Sequence, residues 1–592
     1  MSFNKNIQSI LLIYTGYSDG IHPEDDVQVI QLGILYLGTV LKQHGYKVKI
    51  LNTYYPDTEK ISQEIKNENI NIVGFYTTTE NIYRCLRCAG ELKSNSPDVL
   101  IIMGGPHASI KDIDILEEEK SVDIIIRKEG EYTLLEVVKC YSLLSKNLRN
   151  IKGITYRKDN KILRNPDRPL IENLDSIPLP DRDLLSESLR SFDITYPRII
   201  TGRGCPFSCA FCYEGFSGSK YRMRSAENVL SEIDYLLKRG NVKYIRFMDD
   251  TFTISPLRTL KICRGLRERR EKGFLWFAEG RVDILAKHPD LIYEMSMAGL
   301  VNLHIGVECA DQKTLDIYKK NITLEQVEKV VKTCCKAQIP LISMNFILGG
   351  PVDSKEVYYK NLDFIKKLMK LAPGRLQITS ALLIPFPGTK ISNHPEKYGL
   401  NIIDPLCKTG ITNETCYCET EFLNKYELIR MKRNFDMEVD KIIIETSRSV
   451  PVELLEEHFR LPFYGIRSYW QYLLSYDPGI RRFFNWRLHK LYYYINEIKQ
   501  EEILDFYPTR TYNLNYNDEN LILLDKLYGQ ELLDPCESKL YEISSGKISF
   551  REIIQLGKEK IFSELPEDEV YKKVLDFYIK MEKLCAVIFA KI

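Results

Sequence analysis

The chain lacks a long apolar run, a surplus of charge of either sign and a regular framework of paired cysteines. No apolar run reaches the roughly 18 residues that a membrane-spanning helix needs. The short run from Ile10 to Tyr14 is typical of a first buried strand and not of a signal peptide. A net charge of +1 gives no electrostatic support for a nucleic acid or an anionic membrane as partner. Together these absences predict a cytoplasmic protein.

What the chain has is length and ordinary globular composition. Its 592 residues are too many for one core and indicate about three or four domains. The apolar fraction of 44% and the charged fraction of 28% are typical of soluble globular proteins. The 15 cysteines are odd in number and scattered, which is typical of a reducing compartment where thiolates remain available to iron.

Three of the cysteines stand together in the segment TGRGCPFSCAFCY, residues 201–213. Cys205, Cys209 and Cys212 have C-x3-C-x2-C spacing in a turn rich in Gly and Pro, so their thiolates can converge on one point. A 4Fe-4S cluster usually takes four thiolates, so a three-cysteine set leaves one iron open to another ligand. The alternatives are buried structural cysteines or a zinc site, and zinc would need a fourth Cys or His nearby. The spacing therefore favours an iron-sulfur cluster with an open iron.

The segment CPFSCAFC resembles the signature of the radical S-adenosylmethionine (SAM) enzymes. The resemblance implies that SAM binds the open iron through its methionine amino and carboxylate groups. It also implies that electron transfer from the cluster, supplied by a flavodoxin- or ferredoxin-type donor, cleaves SAM to methionine and a 5'-deoxyadenosyl radical.

Residues 1–149 alternate short β-branched runs with amphipathic stretches such as Leu32 to His44, which predicts an α/β domain with a doubly wound, Rossmann-like parallel sheet of five strands. The predicted strands are Ser9 to Tyr14, Lys47 to Leu51, Ile70 to Tyr76, Asp98 to Gly104 and Val122 to Ile126. Ligands of such sheets bind beyond the carboxyl ends of the strands. Small and hydroxylated residues in the loops at those ends let a bulky ligand approach the backbone closely.

The sequences of these loops and their flanking segments resemble the cobalamin-binding domain that precedes many radical SAM cores. The resemblance lies in LGILYLGTVLKQHGYKVKIL, NIVGFYTTT, IIMGGPHAS and VDIIIRKEGEYTLLEVV. The resemblance implies a corrinoid on the strand ends, with its nucleotide tail near the threonine and double-glycine loops. The implied cobalamin contacts are Thr15, Gly16, Thr77, Thr78, Thr79, Gly104, Gly105, Pro106, His107, Glu129, Gly130 and Glu131. Two positions depart from the family pattern: Gln31 replaces the usual Pro before the first LG, and Lys128 replaces a usual glycine.

The D-x-H-x-x-G motif that supplies a histidine to cobalt in other cobalamin proteins is absent from the sequence. We therefore expect His107 to form hydrogen bonds within its loop and not to bind cobalt. A corrinoid without a lower protein ligand would be easier to reduce and remethylate.

A polar, Pro-rich connecting segment at residues 150–197 leads to a second alternating region at residues 198–400. The predicted strands there are Arg198 to Thr201, Lys243 to Met248, Phe274 to Ala278, Asn302 to Gly306, Leu341 to Leu348 and Leu376 to Leu383. Six such strands predict a partial (β/α)6 TIM barrel, whose chemistry lies at the carboxyl ends of the strands. The cysteine loop follows the first strand directly, so the cluster is predicted at that end.

Polar and glycine residues close the other barrel strands. The resemblance implies that the SAM contacts are Phe211, Tyr213, Asp249, Asp250, Glu279, Arg281, Glu308, Gly349 and Gly350. Adjacent carboxylates at a strand end are costly unless they bind a cation or donor, and the SAM amino group is such a donor. The alternative for each charged residue is an ordinary salt bridge around the barrel mouth.

Residues 401–500 are predicted to be helical and rich in aromatic side chains, and residues 501–592 to form a small winged-helix-like domain. The phrase LYEISSGKISFREII weakly resembles the peptide-recognition domains related to PqqD, which offer an edge strand to an extended peptide. The alternative is a helical lid without a peptide role. Cys407, Cys416 and Cys418 have an unusual spacing for an auxiliary cluster and are predicted to be ordinary thiols.

Taken together, the motifs predict a cobalamin-dependent radical SAM enzyme that methylates an unactivated carbon of a peptide or small-molecule substrate. Cyclisation, ring contraction, or C-C or thioether bond formation would use the same parts, with or without a functional cobalamin domain. The further alternative is a non-catalytic iron-sulfur binding or sensor protein. The sequence does not identify the substrate, because no motif defines its pocket.

Overall fold

The computed structural model describes residues 9–16, 30–142, 147–159, 161–214, 220–404, 415–447, 449–461, 474, 476–489, 493–526 and 529–591. The chain folds into two compact units. The first comprises residues 1–333, 344–360 and 379–432, and the second comprises residues 334–343, 361–378 and 433–592. The domain boundaries given by the sequence analysis stay predictions.

The N-terminal part of the first unit contains a seven-stranded sheet. Its strands are β1 (Ser9–Tyr14), β2 (Lys47–Asn52), β3 (Ile70–Tyr76), β4 (Leu100–Gly104), β5 (Ile124–Ile126), β6 (Ile154–Lys158) and β7 (Lys161–Arg164). They lie in the order β2-β1-β3-β4-β5-β6-β7, and β1 to β5 are parallel. The accompanying helices are α1 (Leu32–Gln43), α2 (Thr58–Asn67), α3 (Ile82–Asn95), α4 (Pro106–Ile110), α5 (Asp112–Glu118) and α6 (Glu131–Ser142). The predicted Rossmann-like parallel sheet is confirmed.

Strand β1, which lies between β2 and β3, shows why such a segment forms a buried parallel strand. All six residues of SILLIY are buried, and successive side chains of a strand point to opposite faces. Ile10 and Leu12 belong to the apolar core on one face, whereas Leu11 and Ile13 belong to the core on the other. Helices therefore cover both faces, and the ligand-accessible edge is the one at the carboxyl ends of the strands.

The hairpin of β6 and β7 was not predicted and adds two antiparallel strands to the sheet beside β5. Its residues fall within the segment expected to connect two domains. Both strands are short, β6 is buried only over its first three residues, and β7 is the exposed edge strand, so their apolar pattern is weaker than that of a long buried parallel strand.

The second sheet has six strands in the order β15-β14-β13-β12-β11-β8. They are β8 (Arg198–Ile199), β11 (Tyr244–Phe247), β12 (Leu275–Gly280), β13 (Leu300–Glu308), β14 (Leu341–Leu348) and β15 (Leu376–Leu382). The helices from this region are α7 (Glu187–Thr195), α8 (Ala226–Arg239), α9 (Pro256–Glu268), α10 (Val282–Lys287), α11 (Pro289–Met297), α12 (Gln312–Ile317), α13 (Leu324–Lys336), α14 (Lys355–Leu371) and α15 (Lys390–Asn393). The predicted partial barrel is confirmed, and Ser225 caps α8 by accepting a hydrogen bond from the Asn228 N–H.

Two very short strands, β9 (Gly202–Arg203) and β10 (Arg222–Met223), pair antiparallel next to the barrel. A further short antiparallel pair joins β16 (Leu400–Ile402) to β17 (Cys418–Thr420). The loop between β9 and β10 carries all three motif cysteines, so this small ladder forms the base from which the cysteine loop extends.

The second unit contains a C-terminal core of helices and short strands. The helices are α16 (Lys425–Ser447), which begins in the first unit, α17 (Val452–Arg460), α18 (Pro478–Leu488), α19 (Pro535–Ile543), α20 (Phe550–Lys560) and α21 (Glu567–Lys583). The strands β18 (Tyr507–Arg510), β19 (Leu523–Lys526), β20 (Gly529–Leu532) and β21 (Val587–Ala590) form two antiparallel pairs, β18 with β21 and β19 with β20. Most of the aromatic-rich stretch 462–492 lies outside the described residues.

The β18–β21 pair bears on the expected edge-strand role. Both outer edges of this strand pair already form backbone hydrogen bonds: residues 544 and 546 bond to β18, and Tyr493 bonds to β21. Peptide recognition by this domain stays a prediction, and it would need another edge. No helix in the described part of the chain is long and apolar enough to cross a membrane.

Candidate functional site

The cysteine loop places three thiols on one irregular turn at the carboxyl end of the barrel. Cys209 is buried, Cys205 and Cys212 are half-buried, and none of them forms a disulfide. The Cys212 N–H donates to the Cys209 carbonyl oxygen at 3.2 Å, which closes the turn between them. Within the described residues, no three His, Cys, Asp or Glu side chains form a group that could hold a metal ion by themselves.

Arg281 lies directly against this loop. Its Nη1 is 3.8 Å from the Cys209 Sγ, its guanidinium carbon is 3.5 Å from the centre of the Phe207 ring, and its Nη2 donates to the Lys320 carbonyl oxygen at 2.7 Å. A cation at this position would stabilise an anionic iron-sulfur cluster bound by the cysteine loop. Arg281, expected at SAM, contacts the cluster loop itself.

The two adjacent aspartates after β11 have different environments. Asp249 is buried, accepts hydrogen bonds from the N–H and hydroxyl of Thr201, and its pKa is raised by burial. It therefore holds the chain just before the cysteine loop. Asp250 as a residue is exposed at the rim, yet desolvation of its carboxyl group, with the charges of Glu214, Glu279 and Asp249, raises its pKa to about 7. Asp250 is thus the carboxyl group best placed to gain from a bound cation.

This contrast gives a prediction for the Asp250→Asn variant. The amide removes a carboxylate held among like charges, so we expect a higher unfolding temperature at pH 8 and SAM binding weakened about tenfold. The pKa of Asp250 in the folded protein lies above its usual value, so this carboxyl group lowers the free energy of unfolding as pH rises from about 4 to 7. SAM affinity should increase as pH rises through 7, because Asp250 then carries its negative charge. Calorimetry and SAM titrations from pH 6 to 8 measure both. Asp249→Asn is the comparison variant and should lower stability; equal behaviour of the two variants would contradict the distinction.

Tyr76 and Glu214, which were not predicted from the sequence, lie where the N-terminal sheet approaches the barrel rim. Tyr76 ends β3, and its pKa is raised to about 12 by burial and by the charges of Glu80, Glu214 and Asp250. Burial and the Glu214 charge also raise the pKa of Tyr213. The carboxyl end of the first sheet therefore lies beside the rim residues of the second. Glu214 follows Tyr213 directly, and that position after the last cysteine was the available signal.

Glu308 ends β13 in a conformation that a non-glycine residue seldom adopts, with φ of 69°. This turn brings its Oε1 to 2.6 Å from the Lys320 Nζ. A Cβ on Gly306 would lie 2.3 Å from the same oxygen, so a larger residue there would displace the Glu308 carboxylate. Such local strain is typical of functional positions. The expected role of Glu308 at the SAM ribose stays a prediction, and its carboxylate is already paired.

The double glycine after β14 lies close to a buried tyrosine. Gly349 has φ of 74° and donates its N–H to Asp353, and a Cβ on Gly350 would lie 1.9 Å from the Tyr318 hydroxyl oxygen. The Tyr318 ring packs edge-on against Phe211 at 5.0 Å between ring centres. The glycines therefore sit within reach of the aromatic residue between the last two cysteines, as a shared ligand site requires.

A row of polar side chains crosses the inner face of the barrel, and only its member Glu279 was found from the sequence. Glu279 pairs in register with His304, whose Nδ1 lies 3.6 Å from the Glu279 Oε1. Burial lowers the pKa of His304, but the charges of Glu279 and Glu308 outweigh burial and the net shift is upward. The Thr379 hydroxyl donates to Asn345. Alternation of these residues along four strands was a weak signal, because it shows only once the strands are in register.

The expected cobalamin loops are held by their own hydrogen bonds. Gly105 has φ of 100°, and its N-terminal neighbour Gly104 accepts from the Thr77 hydroxyl at 2.8 Å. His107 Nδ1 lies 3.1 Å from the Thr79 hydroxyl, and burial together with Lys111 lowers the pKa of His107 to about 4. This agrees with the expectation that His107 bonds within its loop. The small, partly exposed backbone at residues 104–106 fits a bulky ligand.

The remaining loop residues support this backbone. Asn81 donates to the Thr15 carbonyl oxygen and accepts from the Thr78 N–H, and Arg84 bonds to the Gly16 carbonyl oxygen. Lys128 adopts φ of 61°, which explains why a glycine is usual at this position.

The predicted contacts Glu129 and Glu131 already have arginine partners. Both carboxylates are bonded to arginines beside the cysteine loop, and Gly130 between them packs near Leu37. A corrinoid contact by this turn stays a prediction, and any such contact would involve Gly130 or backbone atoms, because arginine already occupies the carboxylates.

The cysteines considered for an auxiliary cluster are only partly described. Cys416 donates to the Cys418 carbonyl oxygen at 3.0 Å, and Cys418 donates to the Leu383 carbonyl oxygen at 3.6 Å. Cys407 lies outside the described residues. A metal role for these thiols stays untested.

Comparison with known proteins places both halves of the site in known families. Residues 199–365 match the radical SAM superfamily, and residues 26–138 match the B12 binding domain. An uncharacterized methyltransferase of Pyrococcus horikoshii is 32% identical over 365 residues, which cover 61% of this chain and 77% of that protein.

Two further similarities differ in what they cover. The anaerobic magnesium-protoporphyrin IX monomethyl ester cyclase of Rubrivivax gelatinosus is 30% identical over 310 residues, half of this chain but only 55% of the cyclase. The structure of the cobalamin-dependent S-adenosylmethionine radical enzyme OxsB with aqua-cobalamin bound aligns with a TM-score of 0.61 and 17% identity, over 98% of this chain and 84% of that one. The similarity to OxsB shows that the two proteins share a fold.

Proposed function

The chain belongs to the radical SAM enzymes that carry a cobalamin-binding domain, and we propose that it methylates an unactivated carbon of a peptide or small-molecule substrate. The enzyme's cofactors are a 4Fe-4S cluster, SAM and cobalamin. When bound, these groups supply the reactivity, since reductive cleavage of SAM gives a 5'-deoxyadenosyl radical and cobalamin carries a methyl group.

One observation carries the proposal: Tyr76 at the end of the cobalamin sheet lies in the same electrostatic environment as Asp250 and Glu214 at the barrel rim. This proximity supports the proposal that the two cofactors share one space. An enzyme that moves a methyl group between two cofactors and a substrate needs such proximity, because the reacting atoms must be held within a few ångströms.

We assign the residues of this chain the following roles. Cys205, Cys209 and Cys212 hold the cluster, and Arg281 stabilises the Cys209 thiolate. Asp250 receives the SAM ammonium group, and Phe211 and the double glycine at residues 349 and 350 border the nucleoside. The loops at residues 77–79 and 104–107 hold the corrinoid. A flavodoxin- or ferredoxin-type protein delivers the electron.

A second candidate is a radical reaction without methyl transfer, such as cyclisation. The 30% identity to a cyclase favours keeping it, although this chain spans just over half of that protein. The two candidates differ in their SAM product. Methyl transfer leaves S-adenosylhomocysteine beside 5'-deoxyadenosine, whereas a reaction without methyl transfer leaves only 5'-deoxyadenosine.

The test is anaerobic purification, reconstitution with iron, sulfide and hydroxocobalamin, and incubation with SAM and titanium(III) citrate. We expect one bound corrinoid by its absorption spectrum and release of both nucleosides by mass spectrometry. Release of 5'-deoxyadenosine without S-adenosylhomocysteine by the corrinoid-loaded protein would support the second candidate. Absence of both nucleosides would refute the enzyme assignment and favour a non-catalytic iron-sulfur protein.

A further inference from the structure

The base of the cysteine loop contains an unusual pair of like charges. Arg203 of β9 and Arg222 of β10 are direct cross-strand partners. Like charges directly opposite each other destabilise a strand pair. The ladder has only two residues in each strand, so its own hydrogen bonds cannot offset this repulsion. An external anion is therefore needed to hold the base of the loop closed.

Glu129, from the loop after β5 of the N-terminal sheet, is that anion. Its Oε1 accepts from the Arg203 Nη1 at 2.9 Å, and both of its oxygens accept from the Arg222 Nη1 at 2.9 Å. The Ile171 N–H donates to its Oε2 at 2.7 Å. One carboxylate thus joins both ends of the cysteine loop.

Glu131 adds a second contact of the same kind. Its Oε1 accepts from the Arg203 Nη2 at 2.6 Å, and it is the first residue of α6. We call Glu129, Glu131, Arg203 and Arg222 the glutamate clamp. The two carboxylates balance the two guanidiniums, and side-chain exposure of only 5% to 18% across the four residues shields them from solvent. Such pairs are costly to break, because the remaining partner is left buried and uncompensated.

We propose that Glu129 is a positioning residue that fixes the cluster loop relative to the cobalamin sheet. Glu129 directly follows Lys128 in the corrinoid-side loop, and Arg203 stands two residues before Cys205 in the chain. The buried, charge-assisted hydrogen bonds of the clamp set the spacing between the two cofactor sites. The side chain acts through the arginines and touches neither cluster nor substrate.

The test uses Glu129→Gln in the reconstituted holoenzyme, with Glu136→Gln as matched control. Glu136 lies on α6 and pairs with Arg168, but its side chain is 46% exposed, so its loss should change nothing. Hydrogen exchange followed by mass spectrometry should show the segment 203–214 exchanging about tenfold faster in Glu129→Gln, because a buried charge pair is broken. Exchange of β13 should stay unchanged, which excludes general loosening.

A second readout distinguishes positioning from a purely structural role, and it rests on the proposed function. Formation of S-adenosylhomocysteine requires the SAM methyl group to reach the corrinoid, whereas 5'-deoxyadenosine requires only contact between SAM and the cluster. We expect the ratio of the first product to the second to fall about tenfold in Glu129→Gln at unchanged iron content. A structural role alone would lower both products in proportion.

Glu131→Gln is the milder second variant, because it removes only the 2.6 Å bond to Arg203. It should change the hydrogen-exchange rate of residues 203–214 and the product ratio in the same direction by a smaller factor. If Glu129→Gln does not fold, Glu131→Gln alone tests the clamp. Exchange and product ratio at wild-type values in the folded variants would overturn the inference. If the wild-type enzyme releases neither nucleoside, the proposed function fails. Hydrogen exchange of residues 203–214 still tests the glutamate clamp in that case, because it does not depend on catalysis.

Discussion

Cys209→Ala is expected to abolish cluster assembly and SAM cleavage. Cys209 is the buried member of the three cysteines and the one that Arg281 contacts, and two remaining thiols leave a second iron without a protein ligand. Iron content after anaerobic reconstitution should fall to a small fraction of the wild-type value, and 5'-deoxyadenosine should fall to background. Iron analysis, the absorption spectrum and product quantification measure these losses.

The matched control is Cys263→Ala. Cys263 is also buried and not in a disulfide, but it lies within α9, and burial raises the pKa of its thiol to about 12. This variant should keep wild-type iron and SAM cleavage, apart from a small loss of stability from the cavity. A Cys209→Ala protein with full iron and full SAM cleavage would refute the ligand assignment.

Gly105→Ala is expected to destroy corrinoid binding and leave the cluster chemistry intact. Gly105 has φ of 100° and ψ of 179°, a region that essentially only glycine occupies. A Cβ would lie 2.5 Å from the Thr77 carbonyl oxygen and 2.9 Å from its nitrogen, and both are backbone atoms. The two loops must separate, which costs about 1 to 3 kcal/mol of folding free energy. We expect cobalamin affinity to fall more than about tenfold because the ligand-facing backbone moves.

Cobalamin titration by absorbance, thermal unfolding and 5'-deoxyadenosine release together test this prediction. Gly90→Ala is the control, because Gly90 lies in α3 of the same domain and a Cβ there meets no atom within 4 Å. That variant should bind cobalamin normally and be more stable by up to about 1 kcal/mol. Normal cobalamin binding by Gly105→Ala would show that the corrinoid lies elsewhere.

The two sheets and the cysteine loop were predictable because their signals are local. Buried parallel strands such as Ile70–Tyr76 and Leu341–Leu348 read as continuous apolar runs, and both occur with the bounds that the sequence predicts. The β6–β7 hairpin was missed because its strands are short, mix polar with apolar residues, and include only one exposed edge strand, β7. Peptide recognition by the C-terminal domain was suggested by one phrase, and the β18–β21 pair has both sides occupied.

The sequence indicated which motif residues are functional, but not the role of each one. Two adjacent aspartates look equivalent in sequence, yet Asp249 holds Thr201 while Asp250 faces Glu214 and Glu279. The reason is that burial and neighbouring charge decide whether a carboxylate is structural or free to bind a cation, and both depend on contacts far apart in the chain.

The sequence by itself determined that this protein joins a cobalamin-type sheet to a three-cysteine barrel, since spacing and periodicity are properties of contiguous residues. Only the tertiary structure decided how the two halves meet. Glu129 and Arg222 are 93 positions apart, and no local pattern links them. Their ion pair exists because parallel strands deliver their carboxyl ends to one edge, where buried charges must find partners from other segments. The loop expected to hold a cofactor therefore also holds the base of the cysteine loop.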